Sequence, residues 1–155
     1  MTLTFLLVDD EPELIKALAQ RLRHRGYEAD CLFSGKEALK RLEDDHAIDV
    51  VVLDIRMPEY DGVETVRELK KTHPLVEVIM LTGHADVQSA VDTIQYGAFD
   101  YLTKPCDIDL LISKAEKAYS RKKEREARIF DIRTKPYTTK QERDEMMAKV
   151  LKDKA

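Results

Sequence analysis

VVVLD, residues 50–54, sets four aliphatic side chains in a row and ends them on a carboxylate. Successive side chains of a strand point to opposite faces. A strand that is apolar at every position therefore needs cover on both faces, the condition of a parallel sheet between layers of helices. VIML (78–81) repeats the pattern, and FLLV (5–8), EADCLF (28–33) and FDYL (99–102) complete five short runs. Helical patterns separate them. Pro12 suits the first turn of a helix over 12–25, with Leu14, Ile15, Leu18 and Leu22 on one face and Gly26 at its end. Ser34 followed by Glu37 reads as a capping box that opens a helix to residue 43. A third helix spans 61–72 with Val63, Val66 and Leu69 inward, and Pro74 follows its end. A fourth spans 86–96 with Val87, Ala90, Val91 and Ile94 inward, and Gly97 follows it. Asp107 caps a fifth that runs from Ile108 past Tyr119. Strands alternating with helices predict an α/β fold on a parallel sheet.

The bulk numbers narrow the class. A chain of 155 residues is the size of one domain, and 43% hydrophobic residues suffice for a core. No apolar run approaches eighteen residues, so no membrane span is expected. The start, MTLTFLLVDDEP, lacks a basic region and meets acids too early for a secretory signal. Cys31 and Cys106 make neither a disulfide framework nor a zinc motif, so a cytoplasmic location is expected. The net charge of −4 is uneven: residues 121–155 hold 12 basic and 7 acidic residues, whereas 1–120 hold 14 and 23. That contrast predicts a boundary near residue 120 and a charged helical extension over 121–155 that is not an independent domain. SRKKEREAR continues the fifth helix as a solvated, charged segment, and TKPYTT breaks it. Thr139 with Glu142 offers a second capping box, for a last helix with Met146, Met147, Val150 and Leu151 as its apolar contacts.

In open parallel sheets the ligand site lies outside the carboxyl ends of the strands. Asp9, Asp10 and Glu11 follow the first run, Asp54 the third, Thr82 and Gly83 the fourth, and Lys104 and Pro105 the fifth. The second run ends in Phe33 and Ser34, which suggests an edge away from the site. Adjacent carboxylates repel; two unit charges ~4 Å apart cost about 4 kcal/mol at an effective dielectric near 20. Such a cluster calls for a counter-charge, and oxygen-only ligands select a hard cation, Mg²⁺ or Mn²⁺. Carboxylates facing an ammonium and a hydroxyl make a phosphoryl site, with Asp54 placed to be the nucleophile. No GxxxxGK[ST] or GxGxxG phosphate loop is present.

LLVDDE, VVVLDIRMPEYDG, VIMLTGHAD and GAFDYLTKP together resemble the receiver domain of two-component response regulators, in order and spacing, over roughly residues 3–120. TGHAD and GAFDYLTKP are most similar to receivers of nitrogen-regulation type, which often precede an ATPase and a DNA-binding domain; no such output domain follows in these residues. The resemblance implies a CheY-like, flavodoxin-like doubly wound (βα)5 fold with strand order 2-1-3-4-5. It implies that Asp54 accepts a phosphoryl group from a phosphohistidine on a sensor histidine kinase or phosphotransfer protein. Asp10, Asp54 and the backbone carbonyl of Arg56 would hold Mg²⁺, with Asp9 acting mainly through water. Lys104 would pair with the phosphoryl group, Thr82 would move towards it, and Tyr101 would swing inward. Arg56 and His84 would border the group and tune its lifetime, and the Lys104–Pro105 peptide would be cis. Met57 and Pro58 read as turn chemistry, Gly62 as backbone geometry, and Glu11 as no more than the start of the first helix.

The expected function is a phosphorylation-driven switch of the fourth helix, fifth strand and fifth helix, for association with a downstream protein or a second copy. As an enzyme it would act only on its own phosphorylation and hydrolysis. A haloacid-dehalogenase-type phosphatase uses similar residue types but wants an Asp two residues after the nucleophile, where Arg56 stands. Nucleic-acid contact through the basic tail is the weaker reading, because seven acids are interleaved and the only aromatics are Phe130 and Tyr137. A receiver portion of a longer transcriptional regulator is the alternative to a stand-alone protein, which the capped terminal helix favours.

Overall fold

The computed structural model describes residues 3–57, 61–136 and 138–153; the turn expected at Pro58 lies outside them. Five strands form one parallel sheet: β1 (Thr4–Val8), β2 (Glu28–Leu32), β3 (Val50–Asp54), β4 (Glu77–Thr82) and β5 (Asp100–Thr103). Their order is β2-β1-β3-β4-β5, as the resemblance implied, with the second strand at an edge. The helices are α1 (Pro12–His24), α2 (Gly35–Asp44), α3 (Gly62–Thr72), α4 (Val87–Gln95), α5 (Ile108–Arg133) and α6 (Lys140–Lys152). Every residue of β3 and β4 is buried, as cover on both faces demands. One core cluster sets Phe5, Leu7, Val52 and Ile79 against Ile15 and Leu22 of α1 and Leu111 and Ala115 of α5. The other sets Leu6, Val51 and Met80 against Leu42 of α2, Val66 and Leu69 of α3 and Ala90 of α4. The alternation along each strand thus divides one apolar run between two cores.

Local signals place the helix ends. Ser34 Oγ accepts from Glu37 N at 3.2 Å, while the Glu37 carboxylate accepts from Phe33 N at 3.1 Å. The side chains of Asp61, Asp107 and Thr139 likewise accept from backbone N–H groups in the first turns of α3, α5 and α6. Gly26 ends the α1 turn at φ +91, a left-handed conformation that suits glycine.

Two expectations need correction. Leu14 is 43% exposed and Val91 38%, so neither is inward; Ile15, Leu18, Ala19 and Leu22 face the core from α1, and Ala90 and Thr93 from α4. A short helix buries one stripe, and both side chains sit just off it. The expected continuation of the fifth helix is present: α5 runs unbroken past residue 120 to Arg133. Finally, SRKKEREAR is not a solvated segment throughout. Lys122 and Arg125 are buried, and Arg121 grips the fully buried Glu77 with two guanidinium nitrogens. Lys122 Nζ lies 2.6 Å from Asp49, whose other oxygen accepts from Thr4 N at 2.8 Å. The strands begin here with buried acids, and the α5 cations neutralise them. Past this belt, Ile129 and Ile132 of α5 pack with Val150 of α6, beside Leu75, Met146, Met147 and Leu151.

Candidate phosphoryl site

Register brings the strand ends together. Val8 pairs with Leu53, so Asp9 and Asp54 emerge side by side. Asp54 pairs with Leu81 and Thr82 with Thr103, so Thr82 and Lys104 follow at successive levels. Asp9, Asp10 and Asp54 each present a carboxylate oxygen within 4.8 Å of the other two. Lys104 Nζ lies 3.1 Å from Asp9, 3.4 Å from Asp54 and 3.7 Å from Glu11. Glu11 therefore does more than open α1: it stands at the rim of this cluster. The Lys104–Pro105 peptide is cis, and Lys104 N donates to the Thr82 carbonyl at 2.8 Å.

The acids differ in setting. Asp9 is fully buried; one oxygen accepts from Glu11 N at 3.0 Å and the other faces Lys104. Asp10 is exposed and lines a cavity of about 450 Å³ with Arg56, Met57, Asp61 and Asp86. Asp54 is 4% exposed. Its burial, then the charge of Asp9, push its carboxyl up to about 6 against the pull of Lys104 and the Arg56 N–H. Burial opposes the Lys104 ammonium as well, but the hydrogen bond to Asp9 and the charges of Asp54 and Asp9 hold its pKa above the ordinary value. Three oxygen-bearing groups with one ammonium among them suit a small hard cation, and the residues present fit Mg²⁺. Gly62 lets α3 approach: a Cβ there would lie 2.6 Å from the Asp54 carbonyl oxygen.

The remaining expected residues are near but engaged elsewhere. Thr82 is fully buried and its hydroxyl donates to the Gly83 carbonyl at 3.1 Å. Tyr101 is half-buried against the α3–α4 side of the sheet. His84 is exposed in the short 3-10 turn His84–Asp86 that leads into α4. Arg56 N donates to Asp54 at 3.4 Å, but its guanidinium lies 2.7 Å from Asp86. The sequence pattern marks Asp86 only as the start of a helix. Its place four residues after Thr82, on a loop at the carboxyl edge, is the signal that could have found it.

A family model described as the response regulator receiver domain matches residues 5–116. Regulatory protein AtoC of Escherichia coli (strain K12) is 39% identical over 122 residues, 77% of this chain and 26% of that protein. Transcriptional regulatory protein GlrR of the same strain is 42% identical over 113 residues, 73% of this chain and 25% of that protein. The chain spans about a quarter of the length of these curated relatives. Among solved structures, a response regulator receiver domain protein from Clostridium thermocellum superposes with a TM-score of 0.75 at 35% identity, covering 78% of this chain and 97% of that one. NtrX from Brucella abortus superposes with a TM-score of 0.77 at 34% identity, covering 94% of this chain and 33% of that one. A match of that extent must include part of the segment beyond α5. The strand order, the convergence of acids, hydroxyl and ammonium at one sheet edge, and these likenesses lead to one conclusion: the chain belongs to the response regulator receiver domains of two-component signalling.

Proposed function

We propose that Asp54 is the phosphoryl acceptor and that its modification switches the face formed by α4, β5 and α5. The observation that carries this reading is the buried Asp54 carboxylate, 3.4 Å from Lys104 and in one oxygen cluster with Asp9 and Asp10. Asp10, Asp54 and the Arg56 carbonyl would hold Mg²⁺, with Asp9 supporting through water; when bound, the ion neutralises phosphoryl oxygens. An Asp54 oxygen forms the new bond to phosphorus as the phosphorus–nitrogen bond of a phosphohistidine donor breaks, and the imidazole leaves with the electron pair. The donor is a sensor histidine kinase or a phosphotransfer protein. Lys104 neutralises the transferred group where it now neutralises Asp54.

The modified side chain carries roughly −1.5 to −2 charges at the sheet edge. Thr82 exchanges its bond to the Gly83 carbonyl for one to the phosphoryl group, and Tyr101 moves inward over it. The change reaches α4 and its C-cap, where Val91 and Tyr96 already present apolar surface at 38% and 40% exposure. A downstream protein or a second copy of the chain reads that face. The protein acts as a switch and catalyses only its own phosphorylation and dephosphorylation.

The test is incubation with Mg²⁺ and acetyl phosphate, followed by intact mass and solution size. The expected result is a mass gain of one phosphoryl group that is absent in Asp54→Ala. A gain that survives in Asp54→Ala, or turnover of a phosphomonoester, would refute the reading. Solution size before and after treatment reports whether the switched face recruits a second copy.

A further inference from the structure

At the opposite edge of the sheet, a cavity of about 680 Å³ opens between the end of α4, the turn into β5, the middle of α5 and the end of α6. Lys70, Lys117, Arg121, Arg125 and Lys152 line it, and Asp100 is its one carboxylate among the described residues. Some of this charge has a plain structural use. Lys70, in the last turn of α3, donates to the carbonyls of Pro74 and Val76 at 2.9 Å and pairs with Glu77. Arg121 is committed to Glu77, and Asp100 to Lys114.

Three cations remain. Arg125 is 5% exposed; one terminal nitrogen donates to the Asp153 carbonyl, and its Nε–H has no partner among the described residues. Lys117 and Lys152 are exposed and make no ion pair among the described residues. The carbonyls that follow α3 account for Lys70. The last turn of α6 gives Lys152 a similar use, but no helix end accounts for Lys117 and Arg125 in the middle of α5. Burial and the neighbouring charge of Arg121 both work against the Arg125 cation, and an anion in the cavity offsets that cost through its charge. We propose that this cavity is a second ligand site, an anion pocket for a small phosphorylated molecule. Two exposed ammonium groups beside buried guanidinium charge suit the several oxygens of a phosphate or diphosphate, and the volume suits a small ligand.

Titration of the full chain with inorganic pyrophosphate, followed by amide NMR without added divalent metal, tests the site. Saturable shifts are expected at residues 96–100, 117–125 and 150–152, with residues 9–11, 54–56 and 82–84 unmoved. Lys117→Gln with Lys152→Gln changes only exposed side chains, and it should weaken binding about tenfold. ADP in a parallel arm identifies the source: tighter binding than pyrophosphate assigns a nucleotide, and equal binding assigns the phosphates alone. The pocket is refuted by no saturable shift up to about 10 mM, by equal shifts with acetate at matched ionic strength, or by an affinity that the double variant leaves unchanged.

Discussion

Asp54 is a carboxylate that its surroundings make costly to charge, and the cost has a definite sign. Its pKa rises from 3.8 to about 6 because burial, then Asp9, disfavour the anion. Between these values the folded protein holds more protons than the unfolded chain, so stability falls as pH rises through this window. The penalty at neutral pH is on the order of 3 kcal/mol. With metal chelated, Asp54→Asn should therefore raise unfolding free energy at pH 7.5 by roughly 1–3 kcal/mol, and the gain should vanish near pH 4. Urea denaturation at both values checks this; a gain of equal size at both would show that the charge is not its source. Arg56 is the second residue to probe. Its guanidinium stands at the mouth of the site, held by Asp86 at 2.7 Å. Arg56→Asn should change the half-life of the phosphorylated protein severalfold, and equal autodephosphorylation rates would remove Arg56 from the chemistry.

The longest element holds the largest gap between sequence and structure. The inward face of α5 runs Ile108, Leu111, Ala115, Ala118, Lys122, Arg125, Ile129, Ile132, a continuous helical stripe. Its chemistry changes midway, where it crosses Asp49 and Glu77 at the start of β3 and β4. Hydrophobic periodicity lapses at Lys122 and Arg125, so the sequence reads as solvated where the fold is buried. A pairing between residues 44 apart, such as Arg121 with Glu77, leaves no local mark. By contrast, Ser34, Asp107 and Thr139 write their caps into neighbouring residues, and all three were legible. Asp9, Asp54, Thr82 and Lys104 were legible because each stands within two residues of the end of an apolar run, and a parallel sheet brings such ends together. The Arg56–Asp86 pair was not, because it depends on how two loops approach. The buried belt makes its own prediction. Arg121→Met leaves Glu77 with Lys70 alone and should cost about 3 kcal/mol. Adding Glu77→Leu should recover most of that loss in chemical denaturation, whereas additive losses would show that the two side chains act independently.

At the scale of the molecule, the sheet separates two charged ends. The carboxyl edge carries Asp9, Asp10, Asp54 and Lys104, and the amino edge carries the Asp49–Glu77 belt and the α6 contacts. Removal of residues 134–155 uncovers Ile129 and Ile132 and should lower stability by about 2–4 kcal/mol. Because that packing lies at the far end from Asp54, the rate of phosphorylation by acetyl phosphate should stay within about twofold, well under 1 kcal/mol. A larger loss would mean that the two ends are coupled. No described helix is long and apolar enough to cross a membrane. The central claim concerns one bond, between phosphorus and an oxygen of Asp54. Borohydride cleaves an aspartyl phosphate and leaves homoserine in its place, so peptide mapping after Mg²⁺, acetyl phosphate and borohydride locates the acceptor. Homoserine at position 54, with Asp9 and Asp10 intact, is the predicted result; homoserine at another aspartate, or at none, would contradict it.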